Sequence, residues 1–303
     1  MTSADHPATS GGWDFLVIGA QKAGTTTLHH LLGDHPRLAL PTEKEAPIFH
    51  ETGDPTRVET QARQLLGPPD GRLRGKATPQ YMCAPGTAAN VAAVNPDMRI
   101  IALFRDPVDR ARSHWAMRAR FRTDERPFAE AIRQQLDTPP SLDGPIEEED
   151  GYIRFGEYGR VLLDYRAHFP AEAMLVLHMD ELAADPVGVV ARVTAHLGVE
   201  AHQPGAAGER FNVASREARF PRAEAALWRL LPYDKLWSAA SPSMRQRAGA
   251  VLDRLQVNRP SPEVDASLPD DVTERLVEHF RADLALLDAS DLSVPAVTVN
   301  GNG

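Results

Sequence analysis

The sequence holds one cysteine among its 303 residues, Cys83, so no disulfide can close within the chain. A lone thiol of this kind usually packs as a small apolar residue. No apolar run approaches the roughly 20 residues that a membrane-spanning helix needs. The opening stretch MTSADHPATSGG has neither the basic nor the apolar segment of a secretory signal. Positive charge is short as well: 33 Lys and Arg stand against 42 Asp and Glu, a formal charge of −9. That balance argues against a general nucleic-acid binder, which is more often basic. It still allows a local cationic site on an acidic surface. There is no internal repeat and no low-complexity domain. The expectation is a soluble cytoplasmic protein with no nucleic-acid or membrane partner, and the Ala, Arg, Asp and Pro content gives a bacterial impression.

What is present suits a globular chain. Hydrophobic residues make up 42% and charged residues 25%, ordinary values at a length that supports a sizeable core. Residues 1–12 read as a flexible start, 13–288 as a single domain, and 289–303 as a flexible tail rich in Ser, Val, Asn and Gly. WDFLVIGA (13–20) is a short apolar run ending in glycine, the pattern of a buried parallel strand. Leu28, Leu31 and Leu32 then recur at helical spacing until Gly33 and Pro36. Further strands are expected at 37–42, 99–107 and 173–182, and 71–81 holds a short extended piece ending in a turn. Helices are expected at 87–96, 108–121, 156–170 and 186–199, and 220–232, 241–255 and 269–287 read as helical or irregular. Strands alternating with helices predict an α/β fold with a mostly parallel sheet. The Pro-rich acidic stretch DTPPSLDGPIEEEDG (137–151) reads as a solvated loop or as a mobile flap over a cleft.

Two segments carry chemistry. GAQKAGTT (19–26) follows a strand and opens a helix, the context of a phosphate-binding loop. Gly19, Gly24 and Thr26 fill the G-x-x-x-x-G-K-[ST] frame, but Thr25 occupies the lysine position and the lysine stands at 22. Backbone N–H groups around Gly24 can form an anion nest, the helix start adds its positive end, and Thr25, Thr26 and Thr27 add hydroxyls. Such a loop holds a phosphate, while Lys22 meets the attached group from a different side than the lysine of an NTPase would. In FRDPVDRARSHW (104–115), Arg105 lies at a strand end and Ser113 in the next helix. A guanidinium and a hydroxyl on that rim suit a second phosphate. The alternative is an ion pair of Arg105 with Asp106 or Asp109.

Taken together, AQKAGTTTL and RIIALFRDPVDRARSHW resemble the 5′-phosphosulfate loop and the 3′-phosphate motif of the sulfotransferase family. The resemblance implies a P-loop-like three-layer domain with a central parallel sheet between helices. It also implies 3′-phosphoadenosine 5′-phosphosulfate (PAPS) as donor and adenosine 3′,5′-bisphosphate (PAP) as product, with no metal. The donor would lie against Gln21, Lys22, Ala23, Gly24, Thr25, Thr26, Thr27, Arg105 and Ser113. KEAPIFHE (44–51) is similar to a segment of the heparan-sulfate-type and bacterial branches, in which the glutamate is the proposed base. That match makes Glu45 the base and Phe49 a candidate substrate contact, and His114, next to Ser113, lies near enough to the site to be another. GKATPQY (75–81) resembles a Gly-Glu-x-(Ser/Thr)-Pro-x-Tyr segment with Lys76 in the glutamate place and Ala77 where relatives can carry lysine. Lys76 either takes over a substrate contact or faces solvent. RFNVASREARFPR (210–222) resembles the late loop that closes over the nucleotide, with Arg216 and Arg219 as candidates there.

The acceptor expected is a hydroxyl of a small molecule, such as a natural product, or of a glycan. Arg112, Arg118, Arg120, Arg122 and Arg126 form either an anion-attracting wall or a solvated helix face. The rival readings are a P-loop kinase or NTPase, for which Asp180 would serve as the metal-binding acid, and an inactive nucleotide-binding relative. Thr25 in the lysine position opposes the first, and the set Lys22, Glu45, Arg105 and Ser113 opposes the second.

Overall fold

The structure is a computed structural model that describes residues 12–42, 44–45, 47–120, 123–124, 126–142, 144, 146–205 and 265–300. Five strands form one parallel sheet: β1 (Phe15–Gly19), β2 (Leu38–Ala39), β3 (Leu73–Ala77), β4 (Arg99–Phe104) and β5 (Met174–His178). Their spatial order is β2-β3-β1-β4-β5. The chain thus leaves β1 on one side to build β2 and β3 and returns on the other to build β4 and β5. In open parallel sheets this reversal beside the central strand opens the ligand crevice.

Ten helices are described: α1 (Thr25–Gly33), α2 (Pro55–Leu66), α3 (Thr87–Val94), α4 (Pro107–Arg120), α5 (Phe128–Asp137), α6 (Gly151–Arg154), α7 (Tyr158–Arg166), α8 (Met179–Ala184), α9 (Pro186–Leu197) and α10 (Asp270–Ala285). The main core lies on the sheet, where Phe15, Leu16, Val17 and Ile18 of β1 meet Leu28, Leu31 and Leu32 of α1. β1 is buried along its whole length, as a continuous apolar run requires. A second core joins α4, α5, α6 and α10 through Trp115, Phe128, Ile132, Tyr152, Leu276 and Phe280. It fixes α4, the helix that carries Ser113, against the rest of the domain.

Several boundaries differ from the expected ones. β5 ends at His178 because Asp180 and Glu181 open α8; the His178 ring accepts from the Asp180 amide at 3.2 Å, and Glu181 accepts from the His178 amide at 2.9 Å. Pro107 starts α4 rather than only ending β4, since a proline is well placed in a first helical turn. α2 and α5 were not anticipated. Residues 289–300 carry no helix or strand, yet they are not loose: Val299 is buried, Asp291 pairs with Arg166 at 2.8 Å, and the Asn300 amide donates to Asp106 at 2.7 Å. The stretches 220–232 and 241–255 lie outside the described residues.

Candidate active site

The segment between β1 and α1 is a tight turn. The Ala20 amide donates to the Leu103 carbonyl of β4 at 2.7 Å, and the Ala23 amide folds back to the Ala20 carbonyl at 3.2 Å. Lys22 has φ 71° and Gly24 φ 92°, both left-handed. A non-glycine residue there is uncommon and marks a constrained position. At Gly19 a side chain would start only 2.7 Å from the Met82 Cβ, so the loop needs glycine for close approach. α1 begins at Thr25 with no side-chain cap and no acidic residue in its first turn. Its free N–H groups and positive end therefore face the loop uncompensated, the arrangement that receives an anion. Gln21, Lys22, Thr26 and Thr27 are partly exposed at this turn, whereas Ala23 and Thr25 are buried.

The second motif meets the first. Arg105, just past β4, donates from Nη1 to the Lys22 carbonyl at 3.4 Å. Neither acidic neighbour claims it. Asp106 caps α4 by accepting from the Val108 and Asp109 amides at 2.8 and 3.0 Å, and Asp109 pairs with Arg112 at 3.3 Å. The Lys22 Nζ lies 3.8 Å from the Met117 Sδ of α4. Ser113 is one turn before Met117, so its hydroxyl shares the helix face that Lys22 touches. Burial, followed by repulsion from Arg105, Arg120 and Arg110, lowers the pKa of Lys22, while Glu148 raises it. Such a cluster of cations has the chemistry to hold a multiply charged anion.

Glu45 is more exposed and sits apart on the loop after β2. Its carboxylate accepts from Lys44 Nζ at 2.5 Å and from Gln80 Nε2 at 3.2 Å. The loop is pinned from below, where the Tyr81 hydroxyl accepts from the Ile48 amide at 3.0 Å. Phe49 is fully buried and packs edge-on against Tyr81, with ring centroids 5.4 Å apart, so it belongs to the core rather than to a cleft wall. His114 is also fully buried, beneath Tyr152 and Phe155, and burial pulls its pKa down to about 4.

Lys76 does not face solvent. It is fully buried, donates to Gln61 Oε1 at 2.7 Å, and lies 5.0 Å from the Trp13 ring. Burial brings its pKa to about 7. Arg112, Arg118 and Arg126 are not a solvated face either. Arg118 pairs with Glu148 at 3.1 Å and also with Glu149, and Arg126 pairs with Asp124 at 2.6 Å. Arg216, Arg219 and Arg122 lie outside the described residues.

Sequence reasoning missed Arg110, Met117, Gln80 and Glu148. Arg110 is fully buried, with Nη2 on the Tyr152 carbonyl and no described partner for Nε and Nη1. Its signal was faint: a second arginine in the Arg105 motif, of the type expected on a helix surface. The side chain of Asp180 is 81% exposed in the first turn of α8, with its Oδ2 3.5 Å from the His178 ring. Among the described residues, no three His, Cys, Asp or Glu side chains converge as a metal site.

The family model for the sulfotransferase domain matches residues 13–220. Human heparan sulfate glucosamine 3-O-sulfotransferase 3B1 is 28% identical over 188 residues, covering 61% of this chain and 46% of the relative. Human heparan sulfate glucosamine 3-O-sulfotransferase 6 is 30% identical over 191 residues, covering 61% of this chain and 52% of that protein. The chain thus spans about half the length of the curated relatives it matches. The crystal structure of a sulfotransferase from Alicyclobacillus acidocaldarius superposes with a TM-score of 0.63 at 23% identity, covering 91% of this chain and 94% of that one. That likeness concerns the fold.

Proposed function

The chain belongs to the sulfotransferase family, and from that membership we propose that it moves a sulfuryl group from PAPS to an acceptor hydroxyl. The observation that carries this reading is the meeting of the two anion-binding segments on one rim, where Arg105 bonds the Lys22 carbonyl at 3.4 Å. The donor bears a phosphosulfate and a separate phosphate, so it needs two such sites side by side. The bare start of α1 and residues 21–27 hold the 5′ side. Arg105 and Ser113 hold the 3′-phosphate, with Arg216 and Arg219 as further candidates.

Glu45 takes the proton of the acceptor hydroxyl. The acceptor oxygen attacks sulfur in line, a new S–O bond forms, and the bond from sulfur to the bridging phosphate oxygen breaks. Lys22 stabilises the charge that develops on that oxygen, and PAP leaves. The residues at the site supply this charge stabilisation themselves, and the scheme assigns no step to a metal. The acceptor class is a small molecule, such as a natural product, or a glycan. A bacterial, cytoplasmic setting completes the reading and rests on composition.

A thermal-shift comparison tests the donor. PAP at saturating concentration should raise the melting temperature well above the value with ATP and magnesium, since a ligand stabilises in proportion to its binding to the folded form. A larger shift with ATP and magnesium would overturn the reading in favour of a P-loop kinase.

A further inference from the structure

The acidic run 147–150 ends the Pro-rich stretch and by composition belongs in solvent. Glu148 instead points inward. Its Oε1 accepts from Gln21 Nε2 at 3.3 Å, and its Oε2 accepts from Arg118 Nη1 at 3.1 Å. The Nε2 of His114 stands 3.7 Å from the same Oε2, too far for a hydrogen bond and an ion pair only when the imidazole is protonated. The segment around it is anchored. The Glu149 carbonyl accepts from Gln135 at 2.9 Å and from Arg126 at 3.3 Å, while the Glu149 side chain pairs with Arg118. One carboxylate therefore bridges the loop after β1 and helix α4, whose residues are more than a hundred positions and about thirty positions away in sequence, respectively.

Lys22 lies between these two anchors. It follows Gln21, and its Nζ touches Met117, the residue before Arg118. Three cations surround it: Arg105 beyond β4, and Arg110 and Arg120 on α4. Among the described residues, Glu148 is the carboxylate that offsets them. Contact with His114 first, and with Arg118, holds the Glu148 acid below the usual carboxylate range, so it is ionised at neutral pH.

We propose that Glu148 is a positioning residue for Lys22: its carboxylate ties the phosphate-binding loop to α4 and brings a negative charge to the lysine's side of the loop. The consequence for catalysis rests on the donor reading above, because a cationic Lys22 is what an anionic donor meets on arrival. The contacts themselves stand independently of that reading. In kcat/KM, which reports the free enzyme, loss of Glu148 would bring the alkaline limb to lower pH.

The test reads Lys22 directly. Reductive methylation of the ligand-free protein with formaldehyde and cyanoborohydride is followed at Lys22 by peptide mass spectrometry from pH 7 to 11. Only the neutral amine reacts, so the midpoint reports its protonation. In Glu148→Gln the midpoint moves to lower pH, with labelling at pH 8 about three- to tenfold faster than in the wild type, the equivalent of half to one pKa unit. Glu148→Asp, which keeps the charge but shortens the reach to Gln21, gives a smaller shift in the same direction. If the glutamine variant does not fold, the aspartate variant decides alone. An unmoved midpoint in the folded variants overturns the proposal. Calorimetry with PAP on the same proteins separates the two ideas: absence of PAP binding to the wild type would sink the donor assignment, while the labelling still decides the link between Glu148 and Lys22.

Discussion

Lys22 and Thr25 show how much one displaced residue changes. With lysine at 25 the loop would fit the nucleoside-triphosphate frame; with lysine at 22 the amine emerges from a left-handed turn and reaches Met117 on α4. Glu45 is the residue whose role rests most on resemblance. It is exposed, and its only described partners are Lys44 and Gln80, so its replacement disturbs little packing. Glu45→Gln should lower kcat by about 10²- to 10⁴-fold, the usual worth of a general base, for any acceptor that the wild type sulfates. PAP affinity by calorimetry should stay within about twofold of the wild type on the same argument. Parallel loss of both would make Glu45 structural. The turn between β1 and α1 was legible because its glycine spacing is local. The burial of Phe49 and His114 was not legible, because an aromatic or a histidine near a motif is written alike whether it faces a ligand or the core.

At the scale of elements, the strand–turn–helix unit at 15–33 is the most legible part of the chain, and Gly24 is its hinge. Its φ of 92° is a conformation that a side chain opposes, and a Cβ there would also meet Leu182 at 3.4 Å. Gly24→Ala should cost about 1–2 kcal/mol in denaturant unfolding and weaken PAP binding at least tenfold, because the amides that line the turn shift with it. Gly33→Ala, at a helical site with open space around it, should leave stability unchanged or higher. Equal destabilisation by the two would show that the left-handed turn is not what fixes the glycine. Helix α2 escaped notice for the opposite reason. Only Val58 and Ala62 are buried, so its apolar stripe is thin. The readable signal was its cap: Asp54 accepts from the Thr56 amide at 2.8 Å, with Pro55 next. β5 was drawn too long because MDEL continues its apolar run, while a His178 and Glu181 capping box ends it.

For the molecule as a whole, an acidic surface surrounds a cationic rim, and one more cation is sealed in the core. The folded-state pKa of Lys76 is about 7 against an ordinary 10.5. Between those values the unfolded chain binds a proton that the folded chain does not. Lys76 therefore opposes folding most at and below neutral pH, and stability rises as pH climbs from about 7 toward 10.5, by up to about 1.4 kcal/mol per pH unit. Lys76→Met keeps the length of the side chain against Trp13 and removes the charge. Its melting temperature should exceed that of the wild type at pH 7, and the gap should narrow as pH rises to 10. A constant gap would mean that packing, not charge, separates the two proteins.

The sequence by itself determined the parallel α/β fold, the glycine turn after β1, the Arg105 and Ser113 motif, and through them the family. These features are set by backbone preference and by periodicity over a few residues, which the order of amino acids states directly. Only the tertiary structure decided that Lys76 is a core residue, that Arg112 and Arg118 of α4 pair with acids, and that an acidic loop delivers Glu148 to the Lys22 loop. Gln21 and Glu148 stand 127 positions apart. A carboxylate in a Pro-rich run has the same chemistry in solvent as against a cation, and only the packing of α4, α5 and α6 brings it to one side or the other.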